Sequence, residues 1–266
     1  MSLRVVSALI LRHLFLYTRS PMRLVELIFW PVVELLIWGY LTMFIQENTT
    51  GDFPRIITYL LGAMILWDVI FRAQQGVAIS FLEDVWTRNL LNVFVAPVRT
   101  TEFLAATFGV GLLRILITVA VLSMMALALY SFNVFKLGWT LLPFFMNLMV
   151  SGWALGMIST ALILRWGQAA ESLAWAVPFF IQPLVAVFYP VSAIKPEWLQ
   201  TVSLALPPTH VFEGMREVLS TGVFSWEKFG WAVGLNIIFM VIAGSIFAWM
   251  LTMTRRRGLL TKFATQ

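Results

Sequence analysis

Cysteine is missing from all 266 residues. That removes a disulfide framework, a thiol nucleophile and any cysteine metal site, and it leaves the compartment open. Charge is the second shortage. Only 12% of residues are Asp, Glu, Lys or Arg, against 60% hydrophobic, about half the charged share of a soluble domain. A water-soluble chain of this length must cover its surface with polar groups; this one has too few, so its solvent is lipid. Histidine is scarce as well: His13 and His210 fall on opposite sides of the membrane in the topology below, so a metal site lacks ligands. No G-x-x-x-x-G-K-S/T phosphate loop, G-x-S-x-G elbow or H-E-x-x-H pattern occurs. ATP binding by a phosphate loop is thereby excluded, and no catalytic motif is left.

What is present is apolar sequence in long blocks. Residues 137–164, 172–194 and 229–254 are uncharged, and each is long enough for a spanning helix of roughly 20 residues. Residues 24–45, 56–82 and 103–130 are also apolar but carry isolated charges, each tolerable in a span at a cost of about 3 kcal/mol. The expectation is an all-α integral membrane protein, a single domain over residues 1–266 with about six transmembrane helices.

The net charge of +5 does not indicate nucleic acid, because the basic residues cluster at the ends of the apolar blocks. With the N-terminus inside, eleven Lys and Arg are cytoplasmic: Arg4, Arg12, Arg19, Arg23, Arg88, Arg99, Arg165, Arg255, Arg256, Arg257 and Lys262. Five lie outside: Arg55, Lys136, Lys195, Arg216 and Lys228. That bias places both termini in the cytoplasm. Ahead of the first span, residues 1–22 read as an amphipathic interface helix rather than a cleavable signal. Arg4, Arg12 and Arg19 share one side, with Leu3, Val6, Leu9, Ile10 and Leu14 largely opposite.

Two stretches do not read as spans. Residues 83–97 begin with Glu83 and Asp84, suited to a helix N-terminus, and end at Pro97. Trp86, Leu90, Leu91, Val93 and Phe94 form an apolar stripe at helical spacing. Such a helix fits docking onto a cytosolic partner or lying on lipid headgroups, and spacing alone separates neither. The second stretch, residues 188–228 with its short helices over 195–220, follows the fifth span on the outside. Pro190, Pro196, Pro207 and Pro208 break it into short helices. Short pieces at membrane depth need protein or a water-filled cavity to satisfy their freed backbone groups, which implies an outer re-entrant hairpin before the last span. Within it, Glu213 and Arg216 form an i, i+3 pair that reads as structural rather than catalytic, with His210 nearby.

These two stretches, in this order, resemble the permease subunit of type-2 ABC exporters, the family of polysaccharide, nodulation-factor and antibiotic exporters. The first resembles that family's coupling helix, through its acidic start, Arg88-Asn89-Leu90-Leu91 and Ala96-Pro97-Val98. The second resembles the family's tract before its last span, from Tyr189-Pro190 through Pro196-Glu197-Trp198-Leu199 to Leu206-Pro207-Pro208-Thr209-His210 and Glu213-Gly214-Met215-Arg216. The resemblance implies a dimer of permeases in a bacterial-type inner membrane, exporting an amphiphile: a lipo-oligosaccharide, lipid-linked glycan, lipid or drug. The basic pattern Arg19-Ser20-Pro21-Met22-Arg23 differs from that typical of long-chain polysaccharide permeases, which favours a smaller amphiphile. The resemblance further implies that a separate cytoplasmic ATPase binds ATP and Mg, this chain holding no cofactor. Glu83, Trp86, Arg88, Leu90, Leu91, Phe94 and Pro97 would then meet that ATPase.

The charges within the spans, Glu34, Asp68, Arg72 and Arg114, lie near mid-span and sum to zero. Asp68 and Arg72 are spaced i, i+4 with the acid first, and Gln75 follows one turn on. A cluster linking the first three spans is expected, as polar packing or as part of a pathway. Trp30, Trp38, Trp67, Phe71, Phe179, Phe180, Phe188 and Tyr189, on the first, second and fifth spans, are candidate pathway aromatics, since the resemblance implies that these helices face the dimer or the path. Lipid-facing aromatics are the plainer reading. Functions of another class, an intramembrane lipid- or glycan-modifying enzyme or an ion-coupled carrier, would have to use Glu34 and Asp68.

Overall fold

The computed structural model describes residues 1–48, 54–87 and 89–256 and is helical throughout them, with no strand. Ten α-helices occur among the described residues: α1 (Leu3–Thr18), α2 (Pro21–Asn48), α3 (Pro54–Trp86), α4 (Leu90–Val95), α5 (Thr100–Tyr130), α6 (Leu141–Trp166), α7 (Glu171–Leu184), α8 (Glu197–Leu204), α9 (Pro207–Thr221) and α10 (Trp226–Arg256). Arg88, Arg257, Lys262 and the side chains of Leu90, Leu91 and Phe94 lie outside the described set.

Five of these helices are long and apolar enough to cross a membrane: α2, α3, α5, α6 and α10. Their burial is uneven, and this sorts them. Of the spanning window, 89% is buried in α3 but only 22% in α2 and in α10. The outer helices therefore keep apolar side chains on the outside, among them Phe29, Ile37 and Phe44 on α2 and Ile237, Val241 and Trp249 on α10. In water such a surface would be untenable; in hydrocarbon it is the expected exterior.

The fifth apolar block does not form one span. The sequence reading ran a helix through residues 172–194, but α7 stops at Leu184. Its 14 residues rise about 21 Å, short of the roughly 30 Å hydrocarbon core. The reason is local. Pro178 and Pro183 interrupt the helix, and Ala186 turns the chain with a left-handed φ of 53°. Val185, Ala186 and Val187 are buried, and a short 3₁₀ turn at Val191–Ala193 leads to α8.

Helices α8 and α9 form the expected hairpin, with α9 inside the bundle. Pro207 and Pro208 start α9 where free N–H groups are not needed, and Gly222, at φ 75°, ends it. Val211, Phe212 and Met215 then join Leu66, Ile70 and Leu148 in the largest core cluster.

Close helix approach is what packs α3 at the centre. A Cβ on Gly76 would run into the backbone of Gly111 on α5, and one on Gly156 of α6 would lie 2.7 Å from the Val77 Cβ and 2.8 Å from the Gln74 carbonyl oxygen. Gly152 and Gly156 form a G-x-x-x-G face against α3, and small residues let helices approach where lipid gives no hydrophobic drive. Hydrogen bonds fix the register. The Gln74 amide donates to Ser159 Oγ on α6 and to the Ala174 carbonyl on α7, both at 2.9 Å. On the other side of α6, Ser151 donates to Asn236 Oδ1 at 2.7 Å, and Asn236 Nδ2 donates to Asn147 Oδ1 at 2.9 Å. Each such bond contributes about 0.6 kcal/mol in a membrane bundle.

Gly76→Ala is therefore expected to destabilise the bundle by about 1–3 kcal/mol through overpacking. Gly234→Ala, where open space surrounds the added methyl, is expected to be neutral or slightly stabilising. Thermal unfolding of both variants in detergent, read by circular dichroism, tests the contrast.

Candidate functional site

Two sites emerge at opposite ends of α3, and a cleft runs along its face from the first of them to mid-helix. At the end shared with α1 and α4, the apolar character of α3 yields to Glu83 and Asp84. The sequence reading placed these acids at the start of an exposed helix; they are instead in the last turn of α3, 4% and 1% exposed. The separate helix begins only at Leu90. The physical reason is charge pairing from elsewhere in the chain. Arg23 of α2 and Arg114 of α5 reach Glu83 Oε1 at 3.1 and 3.5 Å, His13 Nδ1 lies 3.4 Å from its other oxygen, and Arg12 pairs with Asp84. Two buried carboxylates are thus held by four basic side chains from three helices, the condition under which buried charge is tolerable.

This pin also alters α1. Arg12 leaves the basic side by turning into the bundle beside buried His13, while Arg4 and Arg19 stay exposed and Val6, Leu9, Ile10 and Leu14 are half-buried. A Cβ on Gly109 of α5 would sit 2.8 Å from Ile10 Cδ1, so α1 rests closely on α5. Glu102 completes the attachment, accepting from the Ser2 N–H at 2.6 Å and the Arg99 N–H at 3.0 Å.

The four-charge cluster expected at mid-span divides in two. Arg72 donates to Asp68 at 3.2 Å within α3, whereas Arg114 joins Glu83. Arg114 also covers the Tyr17 ring, 4.9 Å from its centroid. Glu34 of α2 faces Arg72 and Asp68 without an ion pair or hydrogen bond among the described residues. Between α2, α3 and α7 lies a cleft of about 440 Å³ that takes in Glu34, Arg72, Gln75, Glu83, Trp86 and Arg114, with Trp30, Phe71, Trp175 and Phe179 among its aromatic walls. Phe71 and Phe179 meet at 5.5 Å between ring centroids, and the Arg72 guanidinium lies over Phe71. Volume and lining are those of a small-molecule site: apolar walls with few, convergent polar groups.

Not all the candidate aromatics belong to it. Trp67 is buried in the core among Leu66 and Val69. Phe188 stacks on Trp38 at 4.3 Å, and the Tyr189 hydroxyl donates to the Pro183 carbonyl. Phe180 is exposed on the outside of α7. Trp30, one of the expected aromatics, does line the cleft; Trp175 and Tyr17 were missed, and their helical register, three or four residues from charges or other rings, was the available signal.

Of the stretch expected to meet a partner, Asn92, Val95, Ala96 and Pro97 are exposed, while Val93 is buried against the end of α3. Trp86 is partly exposed and donates its indole N–H to Glu171 of α7 at 3.2 Å.

At the far end of α3, the outer-hairpin residues make a second knot. The break after α7 leaves carbonyls without helical partners. Arg216 donates to Ala186 O at 2.8 Å and to Tyr59 Oη, and Tyr59 donates to Val187 O at 2.6 Å. Glu213 accepts from Arg216 at 3.0 Å and from the Val191 N–H at 2.9 Å. Burial lowers the Arg216 pKa to about 10, which leaves it charged at neutral pH. His210 Nε2 contacts the Leu204 carbonyl at 2.8 Å, closing the turn between α8 and α9. These residues hold a backbone break. Among the described residues no group of three His, Cys, Asp or Glu is placed to hold a metal ion.

The described residues thus form a lipid-embedded helical bundle with a polar, aromatic-walled cleft along its central helix. The chain belongs to the ABC-2 type transporter family, whose family model matches residues 4–220. It is an ABC transporter permease and an integral membrane protein. Among curated proteins it is similar to ABC transporter G family member 20 of Dictyostelium discoideum, 26% identical over 190 residues. The match covers 71% of this chain and 26% of that relative's length.

Glu83→Gln leaves Arg23, Arg114 and Arg12 around one remaining charge and is expected to destabilise the protein by about 3 kcal/mol or more. Glu83→Asp, which keeps the charge, is expected to lose less. Thermal unfolding of the two variants, together with the trypsin sensitivity of Arg12 and Arg19, checks this.

Proposed function

We propose that this chain is the membrane-spanning half of an ATP-driven exporter, which pairs with a second copy so that the cleft between α2, α3 and α7 faces a shared pathway for an amphiphile. The single observation that carries the reading is the cleft itself. A chain that only had to sit in the membrane has no need of charged and amide groups beside four aromatic rings at the depth of its central span. An amphiphile needs both kinds of wall, and its path runs where they meet.

Energy comes from a separate cytoplasmic ATPase, which binds ATP and Mg; the sequence lacks a phosphate loop of its own. The Lys and Arg bias supports a cytoplasmic α1 end, and the family supports a bacterial-type inner membrane, so that α4 and the exposed Val95-Ala96-Pro97 turn meet that ATPase. Three connections run from this contact. Val93 anchors α4 on α3, Trp86 ties the end of α3 to α7, and the Glu83 pin ties it to α1, α2 and α5. A push on α4 is therefore delivered to every helix that walls the cleft, as rigid-body coupling requires. An ion-coupled carrier is the weaker reading, since Asp68 is neutralised by Arg72.

Purified with its ATPase in lipid nanodiscs, the complex is expected to hydrolyse ATP faster when its exported amphiphile is added. Trp86→Ala and Val95→Asp are expected to abolish that stimulation while the chain stays folded and assembled. Transport by the chain alone, without nucleotide or ATPase, would overturn the proposal.

A further inference from the structure

We infer that the cleft selects a hydrophobic cation, with the Glu34 carboxylate as its counter-charge. The inference rests on the reading of the cleft as the substrate path and adds the chemical class of the substrate. Three arginines (Arg23, Arg72, Arg114) and three glutamates (Glu26, Glu34, Glu83) line the cleft. Asp68, bonded to Arg72 from behind, brings the formal balance of the group to −1.

The position of that surplus follows from the pairing. Arg23 and Arg114 both pair with Glu83 at one end of the cleft, Arg114 without a hydrogen bond from Nε or Nη2 among the described residues. Arg72 is committed to Asp68. Glu26 lies at the exposed end of α2 and is open to solvent. Glu34 is the carboxylate left at mid-span, beside an arginine already neutralised. An unpaired carboxylate at that depth is costly, and the cost falls when a cation enters.

The surroundings fit a cation that is also apolar. Phe71 and Phe179 lie in ring contact across the cleft from α3 to α7, and Trp30, one turn before Glu34, and Trp175 add indole faces. Aromatic faces attract cations, most strongly where water is excluded. Gln75 contributes a second recognition element. It is only 6% exposed, it lines the cleft, and its amide nitrogen has no hydrogen-bond partner. A buried amide of this kind is a standing cost unless a ligand atom meets it. Carboxylate, free amide and aromatic walls together describe a site for an amine or onium head with a hydrogen-bonding substituent and a hydrophobic body. An anionic lipid head would meet the donors of Gln75 and Arg114 but would face the Glu34 charge at mid-span.

The test is equilibrium binding to the full chain with its ATPase in nanodiscs of zwitterionic lipid, using three probes of similar shape: cationic tetraphenylphosphonium, neutral triphenylphosphine oxide and anionic tetraphenylborate. Empty nanodiscs set the background. The cation is expected to bind about tenfold or more tightly than the neutral probe, the worth of one charge-assisted contact. Glu34→Gln is expected to erase that preference without changing the neutral probe's affinity, and Glu34→Asp to keep it. In the unmodified protein, acidification is expected to weaken the cation alone, as protons compete for the carboxylate. This second readout holds even where a Glu34 variant fails to fold. Equal binding of all three probes, or a preference that survives Glu34→Gln, overturns the cation inference and leaves the cleft as a path for amphiphiles. Absence of binding by any of the three overturns both readings.

Discussion

Helix α3 can occupy the centre of this protein because glycine replaces a side chain wherever another long helix crosses it closely. Gly76 meets Gly111 of α5 almost backbone to backbone, and Gly152 and Gly156 bring α6 against Ala73, Gln74 and Val77. Lipid offers no hydrophobic drive for helices to associate, so tight van der Waals contact and interhelical hydrogen bonds must hold the bundle. Once α3 is enclosed on these sides, its remaining face is left to α2 and α7, and that face becomes the cleft. The polar residues tolerated on α3 follow the same logic. The Gln74 amide nitrogen bonds to α6 and α7, Asp68 pairs with Arg72, and Glu83 and Asp84 pair with the bases of α1, α2 and α5.

The two ends of α3 solve different problems by similar means. At the α1 end, apolar packing gives way to an ionic pin, and the pin makes α1 part of the bundle rather than an independent surface helix. At the other end, a helix too short to span is terminated inside the protein. Arg216, Tyr59 and Glu213 supply the hydrogen bonds that water cannot reach to supply. Between them the cleft is walled by helices tied at both ends, so its shape follows the positions of α2, α3 and α7 together. That coupling lets a small movement of α4 matter at mid-span, since packed helices shift as units.

The sequence carried the class of the fold in its composition and block pattern. Five of its apolar blocks are long helices, and its proline-broken tract is a helical hairpin, because hydrophobic length and proline act locally. Where reading the sequence failed, the cause was partnership across the chain. Glu83 and Asp84 look like a helix N-terminus until Arg12, His13, Arg23 and Arg114 are brought to them from up to 72 positions away. Arg114 looks like a partner for Asp68 until the register of α5 places it beside Glu83. The packing face of Gly152 and Gly156 went unread in the sequence, and nothing in its spacing says which helix it meets.

What the sequence by itself determined, then, is the solvent, the helical character and the positions of most breaks. Burial of 60% hydrophobic residues without enough charge to face water leaves no other choice. What only the tertiary structure decided is which charges neutralise one another and which one is left over. Pair energies depend on distances of a few ångströms between residues far apart in the chain, and hydrophobic periodicity does not encode them. Thus Asp68 and Glu34, both carboxylates within apolar blocks, end in different states: one bonded to Arg72, the other open to a cleft.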